Sequence, residues 1–372
     1  MELSLDNTKL LDFLKKECVL IIAVLLAIIS SIFCAPKLEY IDFRVLILLF
    51  NLMVIVAAFK ELNVLDFIAV TLLKKCTSNR KVMLTLVFIS FFSAMVVTND
   101  VALITFIPIT IIIGKKVKMN ILKIVIFQTL AANLGSSLTP MGNPQNLFLY
   151  SYYNIKTLDF FKITLPLLIV SLFLLFILIF KEKEENLEFK LESVKIKEKK
   201  KIIYYIFLLV IILLSVFHVL DYRISFIITI FAIFTLNSNL FKKVDYSLLL
   251  TFIGFFIFVG NISNMNLFRN FMNNVLRNPE GTYYWSIISS QIISNVPSAI
   301  LLSGFTENFK ELLLGVNIGG LGTLIASLAS VISYKFYCNE NGDNSREYIK
   351  TFSIYNFAIL IILGIVFRIF SI

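Results

Sequence analysis

The sequence is poor in the side chains that bind metals and drive covalent catalysis. It has four cysteines and one histidine, His218, and no two cysteines stand at Cys-x-x-Cys spacing. Zinc and haem sites need several such ligands, so neither site is expected. The Gly-x-x-x-x-Gly-Lys-Ser/Thr loop of a built-in ATPase is also missing. Without a cluster of His, Cys and carboxylate residues, the sequence argues against an enzyme.

Charged residues are scarce as well. They make up 16% of the 372 residues, whereas 58% are hydrophobic, and the mean hydropathy is +0.88. Soluble globular chains have about 25% charged and about 45–50% apolar residues. A soluble enzyme is therefore nearly excluded. A disordered chain is excluded too, because the sequence contains far too much Ile, Leu, Val and Phe.

Long apolar runs mark the predicted membrane spans. A crossing helix needs about 20 predominantly apolar residues, and nine runs fit this requirement. Two short amphipathic stretches, 62–77 and 264–277, predict helices that lie along the membrane surface. The fold class is therefore predicted to be an all-α polytopic membrane protein with about nine transmembrane helices. The predicted spans are 18–35, 43–60, 121–153, 160–180, 202–220, 224–240, 246–261, 310–337 and 350–371.

Two further apolar segments are interrupted by polar residues at their centres. Segment 82–113 is broken at 98–100, and segment 283–306 is broken at 294–297. Each half has about 12–16 residues, which is too short to cross a bilayer comfortably. Both segments are therefore predicted to be re-entrant helical hairpins, which enter and leave on the same side.

Basic residues indicate the orientation of the chain. If the spans alternate and both hairpins are re-entrant, 25 of the 34 Lys and Arg residues fall on one side and nine on the other. The positive-inside rule then predicts a cytoplasmic N-terminus and an external C-terminus in the cell membrane. The net charge of +10 is thus an orientation signal and does not indicate nucleic-acid binding. The charged stretch 181–201 is interpreted as a solvated cytoplasmic linker.

Three motifs occur in the same order in the first half, 1–180, and the second half, 202–372. An Asp-aromatic pair that begins a span, the polar break of a hairpin and an Asn-x-Gly-x-x-x-Thr motif recur at offsets of 203, 196 and 184. The matched spans run in opposite directions, so the first hairpin is predicted to enter from the cytoplasm and the second from outside. Inverted repeats with broken helices are typical of secondary transporters, which bind their solute near the bilayer midplane.

Four polar breaks fall at corresponding places in the two halves. Two are the hairpin tips, and two lie within long spans, at 136–144 and 319–323. Backbone carbonyls freed there suit a cation such as sodium, and half-helix N-termini suit an anion. Asp100 is the only ionisable residue at a tip; it could ligate a cation, carry a proton or serve as a helix N-cap. Tips and breaks lack Lys and Arg, so helix ends or bound cations would neutralise an anionic solute.

These motifs resemble the ion transporter superfamily over about residues 18–371. This superfamily includes divalent-anion/sodium symporters, citrate permeases, arsenite permeases and a sodium/proton antiporter branch. Residues 98–108 resemble its first hairpin tip and second arm, residues 132–146 its unwound helix, and 294–295 with 319–323 their second-repeat equivalents. The resemblance implies a dimerising scaffold domain, a transport domain that carries the hairpins, and elevator-like alternating access.

The candidate binding site combines the tips, the breaks and the residues matched by this resemblance. A bound sodium ion is a candidate near Asn99, Asp100, Gly142, Asn295 and Thr323, and no other cofactor is expected. The predicted substrate- and ion-binding residues are Thr98, Asn99, Asp100, Asn133, Gly135, Thr139, Pro140, Gly142, Asn143, Pro144, Asn146, Ser294, Asn295, Pro297, Asn317, Gly319, Gly322 and Thr323.

The favoured hypothesis is a secondary permease for a small anion, driven by sodium or a proton and forming a homodimer in the lipid bilayer. The carboxylate symporters typically carry Ser-Asn-Thr at each tip, whereas the third position here is Asp100 in one tip and Val296 in the other. The acidic tip is closer in character to the arsenite-permease branch. A sodium/proton antiporter and an arsenite-type efflux permease using Asp100 are the alternatives, and a membrane enzyme or assembly subunit is a third class.

Overall fold

The structure, a computed structural model, describes residues 17–117, 119–187, 191–341 and 345–371. Within these ranges the chain forms seventeen α-helices and three short 3-10 helices, and its only strand-like feature is one isolated bridge. This confirms the prediction of an all-α polytopic membrane fold. The basic segment 1–16, which contributed to the predicted orientation, lies outside the described residues.

The first half of the chain contains eight helices, and a 3-10 turn at Leu38–Tyr40 precedes the second of them. The predicted surface stretch 62–77 corresponds to a separate ten-residue helix, α3. The helices are α1 Cys18–Phe33, α2 Phe43–Glu61, α3 Val64–Leu73, α4 Asn79–Val97, α5 Asn99–Val117, α6 Leu122–Ser136, α7 Pro144–Tyr152 and α8 Thr157–Phe180.

The second half contains nine helices and two 3-10 helices, Ser238–Lys243 and Leu324–Ala326. The predicted surface stretch 264–277 corresponds to α12, which is bent by 100° from α11. The helices are α9 Lys199–Val216, α10 Tyr222–Asn237, α11 Tyr246–Ile262, α12 Asn266–Val275, α13 Pro279–Ile293, α14 Asn295–Ser303, α15 Phe309–Gly319, α16 Leu328–Asn341 and α17 Ser345–Ser371.

Fewer uninterrupted spans occur than the nine that were predicted. Among the described residues, five helices are long and apolar enough to cross a membrane, or six if α11 and α12 form one span. The predicted spans 121–153 and 310–337 are each divided into two shorter helices by a polar break. Apolar side chains on the outer helices, such as Ile32, Ile203 and Phe231, are exposed, as expected for surfaces that face lipid.

The predicted length of about 12–16 residues is wrong for three of the four hairpin arms. In the first hairpin, α4 and α5 have 19 residues each, and α4 alone is long and apolar enough for a crossing. The helices extend beyond 82–113 because Arg80 and Lys81 at one end and Lys115 and Lys116 at the other are helical although charged. In the second hairpin, α13 and α14 have 15 and nine residues. The arms of each hairpin pack against each other.

Equivalent helices of the two halves begin with the same side-chain caps. The Asp42 carboxylate accepts a hydrogen bond from the Val45 N–H at 3.1 Å, and the Asp245 carboxylate accepts one from the Leu248 N–H at 3.0 Å. An N-terminal cap satisfies one backbone donor that the helix leaves free, and this fixes where the helix starts. The Asp-aromatic repeat in the sequence thus marks the starts of α2 and α11.

The hairpins pack tightly against the broken helices. The α4–α6 and α13–α15 pairs are among the most extensive contacts in the molecule. Gly135 in α6 faces the backbone of Phe91, and a β-carbon there would overlap the Phe91 carbonyl group. Gly319 in α15 lies similarly close to Ser290. These two glycines, predicted as binding residues, permit close helix packing.

The charged linker is more structured than predicted. Glu184 accepts hydrogen bonds from the Ser78 hydroxyl at 2.7 Å and from the Arg80 guanidinium at 2.8 Å. The Asn79 N–H donates to the Glu185 carbonyl at 3.0 Å. The beginning of 181–201 is therefore fastened to the base of the first hairpin.

Candidate functional site

The two hairpin tips have the same backbone conformation. Thr98 has φ 74° and ψ 153°, and Ser294 has φ 76° and ψ 154°. Positive φ is unfavourable for residues with a side chain, and strained positions of this kind are often found at functional sites. The polar breaks predicted at these residues are confirmed, and each one allows the chain to reverse between two helices.

Both predicted breaks within spans are also confirmed. Helix α6 ends at Ser136 and α7 begins at Pro144, where the Asn143 side chain caps the new helix by accepting from the Asn146 N–H at 2.9 Å. In the second half, α15 ends at Gly319, and the Thr323 hydroxyl accepts from the Ala326 N–H at 3.2 Å. The non-helical backbone between these points is mostly buried.

Each hairpin tip is hydrogen-bonded to the break that follows it. The Thr139 hydroxyl donates to the Met95 carbonyl, and the Thr323 hydroxyl donates to the Gln291 carbonyl, which are equivalent positions at the sequence offsets of 184 and 196. In addition, the Asn99 N–H donates to the Gly142 carbonyl at 3.1 Å. Tips and breaks therefore form two matched units.

The two tips meet at one cavity, which has an empty volume of about 690 Å³. Of the predicted site residues it is lined by Asn99, Asp100, Pro144, Ser294, Asn295 and Pro297. The sequence interpretation missed Gln145, Asp245, Ser247, Thr251 and Ser327, which also line it. Gln145 follows Pro144 at the start of α7, so its position directly after a break was the available signal.

A second cavity, with an empty volume of about 1610 Å³, adjoins the first. Both are lined by Asp100, Pro144 and Asp245, and the second is also lined by Thr98 and Asn143. Its remaining polar lining residues are Lys60 and Glu61 at the end of α2, Asn63 after it, Lys197 of the linker, and Lys243 at the end of the 3-10 helix before α11. The central site is thus open toward the side of the protein where these basic residues lie.

Ten of the predicted binding residues line neither of these two cavities. Several of them are hydrogen-bonded to one another instead, and Asn133 is one centre of this network. Its side-chain oxygen accepts from the Asn99 amide and the Ser327 hydroxyl, both at 3.0 Å. The ten residues are Asn133, Gly135, Thr139, Pro140, Gly142, Asn146, Asn317, Gly319, Gly322 and Thr323.

Side-chain amides occupy the carbonyl-rich ends of both broken helices. The Asn146 amide donates to the carbonyls of Ser136, Ser137 and Thr139 at 3.3, 3.1 and 3.2 Å, and its oxygen accepts from the Asn317 amide at 2.7 Å. In the second break, the Gln291 amide donates to the Gly319 carbonyl at 2.7 Å. These amides satisfy carbonyl oxygens that the broken helices leave free.

The central cavity is acidic. Its lining residues within the described ranges include Glu17, Asp100 and Asp245 and contain no lysine or arginine. Among the described residues, no donor lies within hydrogen-bond distance of the Asp100 carboxylate, although the Asp100 N–H is bonded to the Asn99 side chain. This carboxylate is therefore available to a proton, a cation or a polar solute.

Sequence comparison agrees with this architecture. Residues 14–310 match the citrate transporter family. The chain belongs to this family. An uncharacterized transporter of Methanocaldococcus jannaschii is 36% identical over 321 residues, covering 84% of this chain and 86% of that protein. The inner membrane protein YbiR of Escherichia coli is 28% identical over 299 residues, covering 79% and 80%.

A more distant similarity covers part of the chain. The putative transporter arsB of Dictyostelium discoideum is 29% identical over 150 residues, which are 40% of this chain and 27% of that protein. As a member of the citrate transporter family, the chain is a multi-pass membrane protein that transports a solute. A transporter of this kind is consistent with a central cavity formed by broken helices.

Proposed function

We propose that this transporter carries a small anion by secondary active transport with alternating access. The main support is that both hairpin tips and the start of α7 line one central cavity. A solute bound there contacts both halves of the protein, so a movement of the hairpins relative to the other helices exposes it to one side or the other. The larger cavity beside it corresponds to access from one side.

Two inverted repeats, within 1–180 and 202–372, are part of this proposal. The equal backbone angles at Thr98 and Ser294 support it, as do the matched helix caps and the matched hydrogen bonds from Thr139 and Thr323. In this arrangement the hairpins enter from opposite sides and move together as the transport domain of an elevator-like homodimer. The N-terminus is then cytoplasmic and the C-terminus external.

Asp100 is the proposed position of the coupling ion, which is a proton or sodium. The Asp100 carboxylate lines both cavities and has no hydrogen-bond donor among the described residues. Neutralising it lowers the cost of placing an anion in an acidic cavity. A sodium ion bound to Asp100 would lie near Asn99 and Asn295, which line the same cavity. Gly142 and Thr323, which are also proposed as sodium ligands, line neither cavity.

Flux measurements in proteoliposomes test this function. Radiolabelled carboxylates, sulfate and arsenite are offered under an imposed sodium gradient, an imposed proton gradient or neither. We expect one anion of the panel to accumulate inside the proteoliposomes under one of the two gradients. An ionophore that collapses this gradient should abolish the accumulation. If no solute of the panel moves faster than in empty liposomes under either gradient, the proposal is wrong.

The second candidate is a cation/proton antiporter or an arsenite-type efflux permease. The acidic lining of the central cavity favours it, because a cation or an uncharged solute binds there without charge neutralisation. Antiport predicts proton release when sodium or lithium is added to inside-out vesicles, and loss of that signal in Asp100→Asn. Arsenite efflux predicts arsenite flux without competition from carboxylates.

A further inference from the structure

The two hairpin tips are equivalent in backbone shape but differ in their free hydrogen-bond donors. At the first tip, the Asn99 N–H donates to the Gly142 carbonyl and the Asp100 N–H donates to the Asn99 side chain. The Asn99 amide donates to Asn133 at 3.0 Å. The backbone donors of Asn99 and Asp100 and the Asn99 amide are therefore engaged within the protein.

The second tip leaves the corresponding donors free. Among the described residues, the backbone N–H groups of Asn295 and Val296 have no hydrogen-bond acceptor, and neither has the Asn295 amide. The Asn295 side chain lines the central cavity although the residue is only 4% exposed. The Ser294 hydroxyl does not cap α14, because it donates to the Ala326 carbonyl at 3.3 Å. The N-terminus of α14 is thus uncapped toward the cavity.

Gln145 adds a further free amide to the same cavity. It is 2% exposed, has no hydrogen-bond partner among the described residues, and lies in the first turn of α7. Asn295 and Gln145 are nearly buried and line the cavity, and neither side-chain amide has a partner among the described residues, so both are available to a ligand there. Free N–H groups at a helix N-terminus bind anions, since they add hydrogen bonds to the positive end of the helix dipole.

We propose that Asn295, Val296 and Gln145 form a subsite for one anionic group, a carboxylate or an oxyanion, and that the first tip does not bind a second one. This rests on the proposed function and narrows its substrate class to solutes with a single anionic group. A second carboxylate placed at the first tip would meet the Asp100 carboxylate, and the Asn99 and Asp100 donors there are already in use. The two tips therefore have different tasks, with the anion at Asn295 and the coupling ion at Asp100.

Thermal-shift titrations of the purified transporter test the subsite. The probes are sodium salts of acetate, lactate, succinate, citrate and sulfate, and sodium arsenite, with sodium chloride at equal ionic strength as reference. A ligand that binds the folded state raises its melting temperature, and at equal concentration the tighter ligand raises it more. We expect acetate or lactate to raise it more than succinate or citrate at equal concentration.

Variants identify the groups responsible. Asn295→Ala and Gln145→Ala are each expected to weaken the monocarboxylate about tenfold or more, since each removes a hydrogen bond to a charged group. Neither side-chain amide has a hydrogen-bond partner in the described part of the chain, so the melting temperatures of both variants without ligand should stay near that of the wild type. Asp100→Asn is expected to improve succinate binding about tenfold. Gly364→Ala, where a β-carbon has open space, is the matched control.

The outcomes separate the subsite from transport in general. If succinate or citrate binds at least as tightly as acetate and lactate, or if both amide variants bind the monocarboxylate like the wild type, the subsite is refuted. A dicarboxylate that is also transported would refute the subsite and leave the transport function intact. If no probe shifts the melting temperature and none moves in proteoliposomes, both proposals are wrong.

Discussion

A substitution at Asn146 tests whether this side chain binds a ligand or stabilises the fold. The sequence predicts it as a binding residue, but in the structure its side chain is fully buried and makes four hydrogen bonds, three of them to carbonyls of the first break. We expect Asn146→Ala to destabilise the protein directly. The carbonyls at the broken end of α6 would lose the Asn146 donor, and the Asn317 amide would lose one of its two acceptors.

The expected magnitude follows from these four contacts. A net hydrogen bond contributes about 1 kcal/mol in proteins generally and about 0.6 kcal/mol in membrane proteins. Asn146→Ala should therefore lower the free energy of unfolding by about 2–4 kcal/mol. Asn295→Ala removes a buried amide of the same size that has no partner, and should change it by less than about 1 kcal/mol.

Reversible unfolding in mixed detergent micelles, titrated with sodium dodecyl sulfate, measures both changes. A loss of about 2–4 kcal/mol in Asn146→Ala, with less than about 1 kcal/mol in Asn295→Ala, would support a structural role for the Asn146 amide. If Asn146→Ala has the stability of the wild type but no longer transports, then Asn146 contacts the solute or ion directly. That result would refute the assignment of its amide to the fold.

Three further outcomes follow from individual contacts. Gly322→Ala should lose at least about 1 kcal/mol of stability, because φ is 98° and a β-carbon would overlap Gln291, whereas Gly364→Ala should be neutral in the same unfolding assay. Burial and the nearby Arg44 lower the pKa of His218, in the loop after α9, to about 4. Unfolding takes up a proton between pH 4 and 6.5, so stability should rise with pH in that window, and His218→Gln should flatten the rise. Ser78→Ala removes a cap and a hydrogen bond to Glu184 and should cost about 1–2 kcal/mol.

The tips and breaks were predictable because each leaves a local signal. Polar and helix-breaking residues inside long apolar runs predict interruptions without any knowledge of packing. The Asp42 and Asp245 caps were visible in the same way, as an acidic residue directly before an apolar run. The arms of the first hairpin were predicted too short because hydropathy gives little weight to charged residues such as Lys115 that continue the helix.

The sequence did not predict that equivalent residues of the two halves make different contacts. Asn99 and Asn295 occupy the same place in a repeated motif, yet one amide is bonded to Asn133 and the other has no partner among the described residues. That difference depends on contacts between distant segments. Gln145 and Asp245 were missed as cavity residues for the same reason, since α7 and α11 bring them to the site only in the folded protein.

The central claim is that one cavity between the two hairpin tips carries the solute. The most direct measurement is the initial rate of solute counterflow in proteoliposomes, compared among the wild type, Asn295→Ala and the Gly364→Ala control at equal protein density. We expect Asn295→Ala to reduce the rate about tenfold or more at subsaturating solute, while the control retains it. Equal counterflow in all three proteins would show that the solute does not bind at Asn295 in this cavity.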